Sequence, residues 1–205
     1  MPQQIAIVDC GMGNLHSVQR KLSRIGARTT VTSDPDVIGR AEKIVLPGVG
    51  HFRRAMENLR RLRLLEALND ARGRRIPILG ICLGMQLMAQ SSEEGETDGL
   101  GWLDAKVVRF KVRDTVRFKI PHMGWNEVVQ KRETALFKNI PDRAEFYFVH
   151  AYHLVVSREA IVLSETEYDY SFASAVESES IFGVQFHPEK SHEIGEALLR
   201  NFVDL

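Results

Sequence analysis

The chain has 205 residues, 27 of them basic and 27 acidic, so its formal charge at neutral pH is zero. That length suits one α/β core in a single domain, residues 1–205, and the balanced charge leaves no electrostatic footprint for nucleic acid or an anionic membrane. No stretch approaches the roughly 20 apolar residues of a bilayer span, no charged leader precedes an apolar segment, and only two cysteines occur, Cys10 and Cys82, too few and too far apart for a disulfide framework. A cytoplasmic protein is expected.

In chain order, short β-branched runs alternate with amphipathic helical stretches as far as residue 90, the habit of a mostly parallel sheet wrapped by helices. IAIVD, RTTVT, KIVLP and IPILGI read as strands. Between the first two, Leu15, Val18, Leu22 and Ile25 recur at helical spacing, with Asn14 as N-cap and Gly26 as terminator. After the third strand, Phe52, Met56, Leu59, Leu62, Leu65 and Leu68 predict one long helix with arginines on its outer face. Beyond residue 99 the rhythm changes to strands, namely WLDAKVVRF, GWNEVV, EFYFVHAY, AIVLSET, FASAVE and SIFGVQF, with no long helix until residues 193–203. These segments extend the first sheet and add a smaller antiparallel one.

Chemistry enters at ILGICLGMQLM (residues 78–88), where an apolar strand breaks at Gly80 and feeds a helix from Leu83. That is the setting of a nucleophile elbow, in which the reactive side chain sits on a tight, strained turn. Gly80 and Gly84 remove side chains that would collide there. Cys82 would lie at a helix N-terminus, whose free amides and dipole favour thiolate over thiol. The amide of Leu83 would point at a developing oxyanion. A buried structural cysteine is the alternative that this stretch alone leaves open.

A second stretch, GVQFHPEKS (residues 183–191), places His187 and Glu189 two apart in a segment read as extended, so that both emerge on one side. Pro188 between them restricts the backbone. The pair suits a base and the carboxylate that orients it. A third stretch, VLPGVGHF (residues 45–52), puts Gly48, Val49 and Gly50 between a strand and a helix, where backbone can approach a ligand and supply a second oxyanion amide; a plain strand-to-helix turn is the other reading. The GMGN turn at residues 11–14 lacks the spacing of a dinucleotide or phosphate loop. His150 and His153 have no cysteine or carboxylate at ligand spacing, so neither a metal nor a cofactor is expected.

Taken together, DCGMGNLHSV, VLPGVGHF, GICLGMQLM, SSEEG, IPHMGWNEV, FYFVHAY and GVQFHPEKS resemble, in the same order and over essentially the whole chain, the class I (triad-type) glutamine amidotransferases. IPHMGWN and FYFVHAY narrow the resemblance to the HisH family, the glutaminase subunits of imidazole glycerol phosphate synthase. The resemblance implies a class I amidotransferase fold, with Cys82 as nucleophile, His187 as base and acid, and Glu189 as orienter. It implies that Gln86 and Glu94 hold the amino acid end of L-glutamine, and that Gly48, Val49, Gly50, Leu83, His150, Ala151 and Tyr152 line the pocket. It further implies that Asn14, His122, Met123, Trp125, Tyr147 and Lys190 face a (β/α)8 barrel cyclase subunit in a heterodimer and the ammonia exit. Family members commonly carry Tyr where Cys10 stands and Ser where Ala151 stands. Two other functions fit the same residues: a HisH-like glutaminase serving amidation of a surface-polysaccharide sugar, and a cysteine hydrolase or peptidase of the same fold group.

Overall fold

The computed structural model describes residues 4–205. Its first half comprises β1 (Gln4–Val8), α1 (Leu15–Arg24), β2 (Arg28–Thr32), α2 (Pro35–Gly39), β3 (Lys43–Gly48), α3 (Phe52–Arg61), α4 (Leu64–Gly73), β4 (Ile78–Cys82) and α5 (Leu83–Leu87). The short strands β5 (Ser91–Ser92) and β6 (Thr97–Asp98) follow, then β7 (Ala105–Arg109), β8 (His122–Gln130), β9 (Ala144–His150), β10 (Tyr152–Val156), β11 (Val162–Tyr168), β12 (Tyr170–Ser178), β13 (Ile181–Val184) and α6 (His192–Asp204).

The sheet runs in the order β2-β1-β3-β4-β13-β12-β10-β7-β5-β6. From β2 to β13 the pairings are parallel, and from β13 through β12, β10 and β7 they are antiparallel. β11 joins β12 to a branch made of β8 and β9, the smaller antiparallel element. The inner parallel strands β1, β3, β4 and β13 are largely apolar on both faces because helices cover both, whereas the edge strand β2 is only partly buried. On β1, Ala6 and Val8 pack with α3, α4 and α5, whereas Ile5 and Ile7 pack with α1 and α6. Among the described residues no helix is long and apolar enough to cross a membrane.

Three local expectations are corrected. The long helix after β3 is two helices, α3 and α4, separated at Leu62 and Arg63, with Arg63 left-handed at φ 57°. Leu59 and Leu64 are both fully buried yet five apart, a spacing that places them on different faces of a continuous helix. The left-handed turn returns both to the core, and Leu62 and Leu65 are only partly buried. Asn14 does occupy the N-cap position of α1, but its side chain makes no capping bond. Gly26 ends that helix as expected: its φ is 85°, its amide donates to Ser23 O, and the Ala27 amide reaches Leu22 O. Finally, β3 runs one residue past the expected KIVLP and includes Gly48, paired with Cys82, so the free loop is shorter than the glycine spacing suggested.

Candidate active site

β4 carries the nucleophile candidate at its last residue. Cys82 has φ 53° and ψ −110°, a backbone state that L-residues rarely hold. The packing around it forbids side chains at Gly80 and Gly84, two positions to either side. A Cβ on Gly84 would stand 1.7 Å from Leu46 O, and one on Gly80 would stand 2.7 Å from the backbone of Gly84 and Met85. The turn is therefore clamped between β3 and the start of α5, and the Leu83 amide, at the first position of that helix, has no intrahelical partner.

The β13 pairing brings the other half of the site alongside. Ile81 lies opposite Val184, so the chain leaving β13 passes the Cys82 turn. His187 Nδ1 donates to Glu189 Oε1 at 2.8 Å, with both side chains essentially without solvent contact. The segment read as extended is in fact a 3-10 turn at Pro188–Lys190, which folds Glu189 back onto the imidazole. His187 itself is extended, as its neighbouring proline favours. Ser191 Oγ donates to His187 O at 2.7 Å and accepts from the Tyr147 amide at 3.0 Å, anchoring that turn to β9. With Nδ1 committed to the carboxylate, Nε2 is the ring nitrogen left for Cys82, and it is buried with no nitrogen or oxygen partner among the described residues. Burial works against charge on this ring, but the neighbouring Cys82 sulfur and the Glu189 carboxylate outweigh it and raise the His187 pKa to about 10. At neutral pH His187 thus retains a proton.

Cys82 opens on a cleft of about 280 Å³ lined by Val49, Gly50, Leu83, Gln86, Glu94, Pro121, Val149, His150, Ala151 and Tyr152. A wider groove of about 730 Å³ between α2 and α4 contains neither cysteine nor histidine. Gly50 has φ 109°, and any side chain there would meet the Met12 methyl at 2.6 Å. The turn at residues 11–14 therefore supports the loop after β3. Gly48 is equally confined, since its Cβ would touch Leu83 Cβ at 2.9 Å. Glu94 accepts from the Phe52 amide at 2.7 Å, which fixes its carboxylate at the start of α3 and the cleft edge.

The residues assigned to a partner-facing surface divide by strand parity. Met123 (62% exposed) and Trp125 (44% exposed) point outward, as does Val49 at the cleft mouth. Tyr147 lies opposite Trp125 in the β8–β9 ladder, Lys190 Nζ sits 5.5 Å over the Tyr147 ring, and Trp125 stacks on His192. Asn14 is partly exposed, preceded by a turn that lies against Pro47. His122 does not share this surface. It is 3% exposed and directed inward, because it adjoins Met123 on a strand and successive side chains emerge on opposite faces.

His122 instead joins a hydrogen-bond chain behind the cleft. Asn126 Nδ2 donates to Glu167 O and to His122 Nε2, His122 Nδ1 donates to His150 Nε2 at 2.9 Å, and His150 Nδ1 donates to Tyr152 O at 2.8 Å. The two carbonyls accept only, which fixes every tautomer in the chain. Burial holds the His122 pKa down at about 4 and that of His150 well below the ordinary value. Both rings are neutral at pH 7. A histidine whose folded pKa is depressed leaves stability intact above its unfolded value of about 6.5 and erodes it as pH falls toward the folded value. Acidification from pH 6.5 to 4 is expected to cost on the order of 3 kcal/mol through His122. Urea unfolding at several pH values should show that loss, and His122→Phe, which keeps the ring stacking, should reduce it.

Sequence reasoning missed Gln185, Pro121 and Val149. Gln185 is fully buried; its Nε2 lies 3.5 Å from Cys82 Sγ and its Oε1 accepts from Gln86 at 2.9 Å. The available signal was its place two residues before His187. Val149 O approaches Cys82 Sγ at 4.0 Å, and no local pattern announces a contact across 67 residues.

An elbow cysteine thus stands beside a buried histidine–carboxylate pair, on a parallel α/β sheet with an antiparallel extension. The sequence profile described as "Glutamine amidotransferase class-I" matches residues 6–205, and the chain belongs to that family. Among curated relatives, "Imidazole glycerol phosphate synthase subunit HisH 2" of Methanococcus maripaludis is 46% identical over 200 residues, covering 97% of this chain and 98% of that protein. "Imidazole glycerol phosphate synthase subunit HisH" of Moorella thermoacetica is 47% identical over 202 residues, covering 98% and 94%. A solved structure shares the fold at lower identity: "Structure of PurLQS from Thermotoga maritima" aligns with TM-score 0.76 at 18% identity over 100% of this chain and 99% of that one.

Proposed function

We propose that the chain is the glutaminase subunit of an imidazole glycerol phosphate synthase, hydrolysing L-glutamine to glutamate and ammonia in the cytoplasm, where Cys82 stays reduced. The observation that carries this reading is the strained Cys82 turn beside the buried His187–Glu189 pair, with Cys82 on the wall of a cleft also lined by Gln86 and Glu94. Full-length identity near one half to HisH subunits supports the pathway.

In this reading Cys82 Sγ attacks the carboxamide carbon and the carbonyl electrons move onto oxygen, where the Leu83 amide and an amide of the Val49–Gly50 loop receive them. The intermediate collapses, the C–N bond breaks, and His187 Nε2–H protonates the departing nitrogen as ammonia. A water molecule, giving its proton to His187, then attacks the thioester carbon; the C–S bond breaks, glutamate is released, and the Cys82 thiolate and the protonated His187 are restored. Both Gln86 N–H groups are engaged inside the protein, at Tyr152 O and Gln185 Oε1. Its oxygen is left to accept from the α-ammonium of the substrate, beside the Glu94 carboxylate.

Free ammonia in neutral water is mostly protonated and unreactive, so a docked acceptor enzyme is part of the proposal. The partner is a (β/α)8 barrel cyclase seated on Met123, Trp125, Tyr147 and Lys190, around the exposed Val49. The test is glutamate release by this chain with and without the barrel subunit of its own organism, together with growth of a histidine auxotroph that lacks its glutaminase subunit. Partner-stimulated turnover and growth at low ammonia support the reading. Partner-independent turnover of other amides or peptides refutes it, and glutaminase activity without histidine-independent growth moves the acceptor to a sugar.

A further inference from the structure

The geometry points to Gln185 as the residue that holds the Cys82 sulfur and the glutamine pocket in one register: one end of its amide donates to Sγ, and the other fixes Gln86. The inference rests on reading Cys82 as the nucleophile, and deepens it.

The orientation of both amides follows from one carbonyl. Gln86 stands 2.9 Å from Tyr152 O, which can only accept, so the Gln86 atom facing it is nitrogen. The same nitrogen is 2.9 Å from the Gln185 amide, whose facing atom must then be oxygen. The remaining Gln185 atom, 3.5 Å from Cys82 Sγ, is therefore the NH2 group. Neither amide can be flipped without placing two donors or two acceptors against each other. Tyr152 O also receives His150 Nδ1, so the carbonyl that sets these orientations is itself held.

Gln185 is fully buried, and its backbone amide donates to Ser174 O at 2.8 Å, which fixes the chain just beyond β13. A primary amide side chain in such a place is costly unless both ends are used. Here both are, and one use is at the atom that attacks. An N–H directed at sulfur stabilises negative charge on it and fixes its position, whereas His187 and Glu189 handle the proton. Because Gln86 depends on the same amide, displacement of the sulfur and loosening of the substrate's amino acid end are linked. His187 is two residues further along the same segment, so one stretch of chain carries both the group that holds the sulfur and the group that exchanges its proton.

The test uses the full chain, alone and with its barrel partner. In Gln185→Met, which keeps length and removes both polar ends, iodoacetamide should alkylate Cys82 about tenfold more slowly at pH 7, the scale of one hydrogen bond to a charged group. The midpoint of the alkylation–pH profile should move upward. Modification is counted on the Cys82 peptide, so the buried Cys10 does not contribute. In the complex the same change should lower kcat and raise KM for glutamine together. A purely structural role would lower the melting temperature and leave the alkylation midpoint in place. A folded Gln185→Met protein with an unmoved midpoint and unchanged kcat/KM overturns the inference.

Should that variant not fold, the unsubstituted chain decides. The Gln185 side-chain amide protons should be protected from exchange, should shift as Cys82 titrates, and should stop doing so in Cys82→Ala. Rapidly exchanging or unresponsive protons overturn the inference. The alkylation readout requires no glutamine: a moved midpoint in a chain that fails to hydrolyse glutamine keeps the sulfur contact and removes the substrate reading, and an unmoved midpoint in an active glutaminase does the reverse.

Discussion

Cys82→Ala is expected to abolish glutamine hydrolysis by the assembled complex while leaving ammonia-supported synthesis intact. Loss of the attacking atom removes the thioester route altogether, and in triad hydrolases loss of the nucleophile costs at least about 10⁴-fold. The rest of the site stays in place, because Ala is smaller than Cys and Gln86, Gln185 and the His187–Glu189 pair are held by their own partners. Glutamate release measured with glutamine as nitrogen source, beside product formation measured with ammonium, separates the two steps. Glutaminase activity within tenfold of the unsubstituted chain would remove Cys82 from the mechanism. Loss of the ammonia-supported reaction as well would show that the substitution disturbs the partner rather than the chemistry.

Gly84→Ala is expected to damage the protein most for the smallest change. Its Cβ would lie 1.7 Å from Leu46 O, a backbone atom of β3 that cannot turn aside. Relieving the clash requires α5 and β3 to part by more than an ångström, and overpacking of this kind costs about 3 kcal/mol or more. Cys82 and the Leu83 amide move with α5, and a displacement of about 1 Å in a catalytic group costs on the order of 10²-fold in rate. Stability and activity should fall together. The comparison is Gly73→Ala at the end of α4, where the added methyl meets nothing within 4 Å; there helix propensity predicts a neutral or slightly stabilising change. Thermal unfolding and glutamate release on the two variants test the argument. Equal behaviour would mean that the elbow is not clamped by β3.

Local spacing was sufficient for much of this site. Gly80, Cys82 and Gly84 between an apolar strand and a helix specify a strained turn, because only glycine admits backbone that close. His187 and Glu189 are near enough in sequence to meet through any compact turn, so their pairing was legible even though the turn is a 3-10 one and not a strand. The alternation of apolar strands and amphipathic helices in the first half determined a parallel sheet covered on both faces. The split of α3 from α4 was not legible, since the leucine spacing permits a continuous helix and only the demand that Leu59 and Leu64 share one core breaks it.

What the tertiary structure alone decided is which strand lies beside which. Periodicity reveals the face on which a side chain emerges and is silent about the neighbour it meets there. Hence Gln185 at the Cys82 sulfur, 103 residues away, and His122 against His150 became visible only after β13 was laid beside β4 and β8 beside β9. Hydrogen bonds of that kind depend on long-range pairing and atomic orientation, neither of which a one-dimensional pattern carries. The residues that perform the proposed chemistry are thus written locally in this chain, and those that hold them in register are set by the fold.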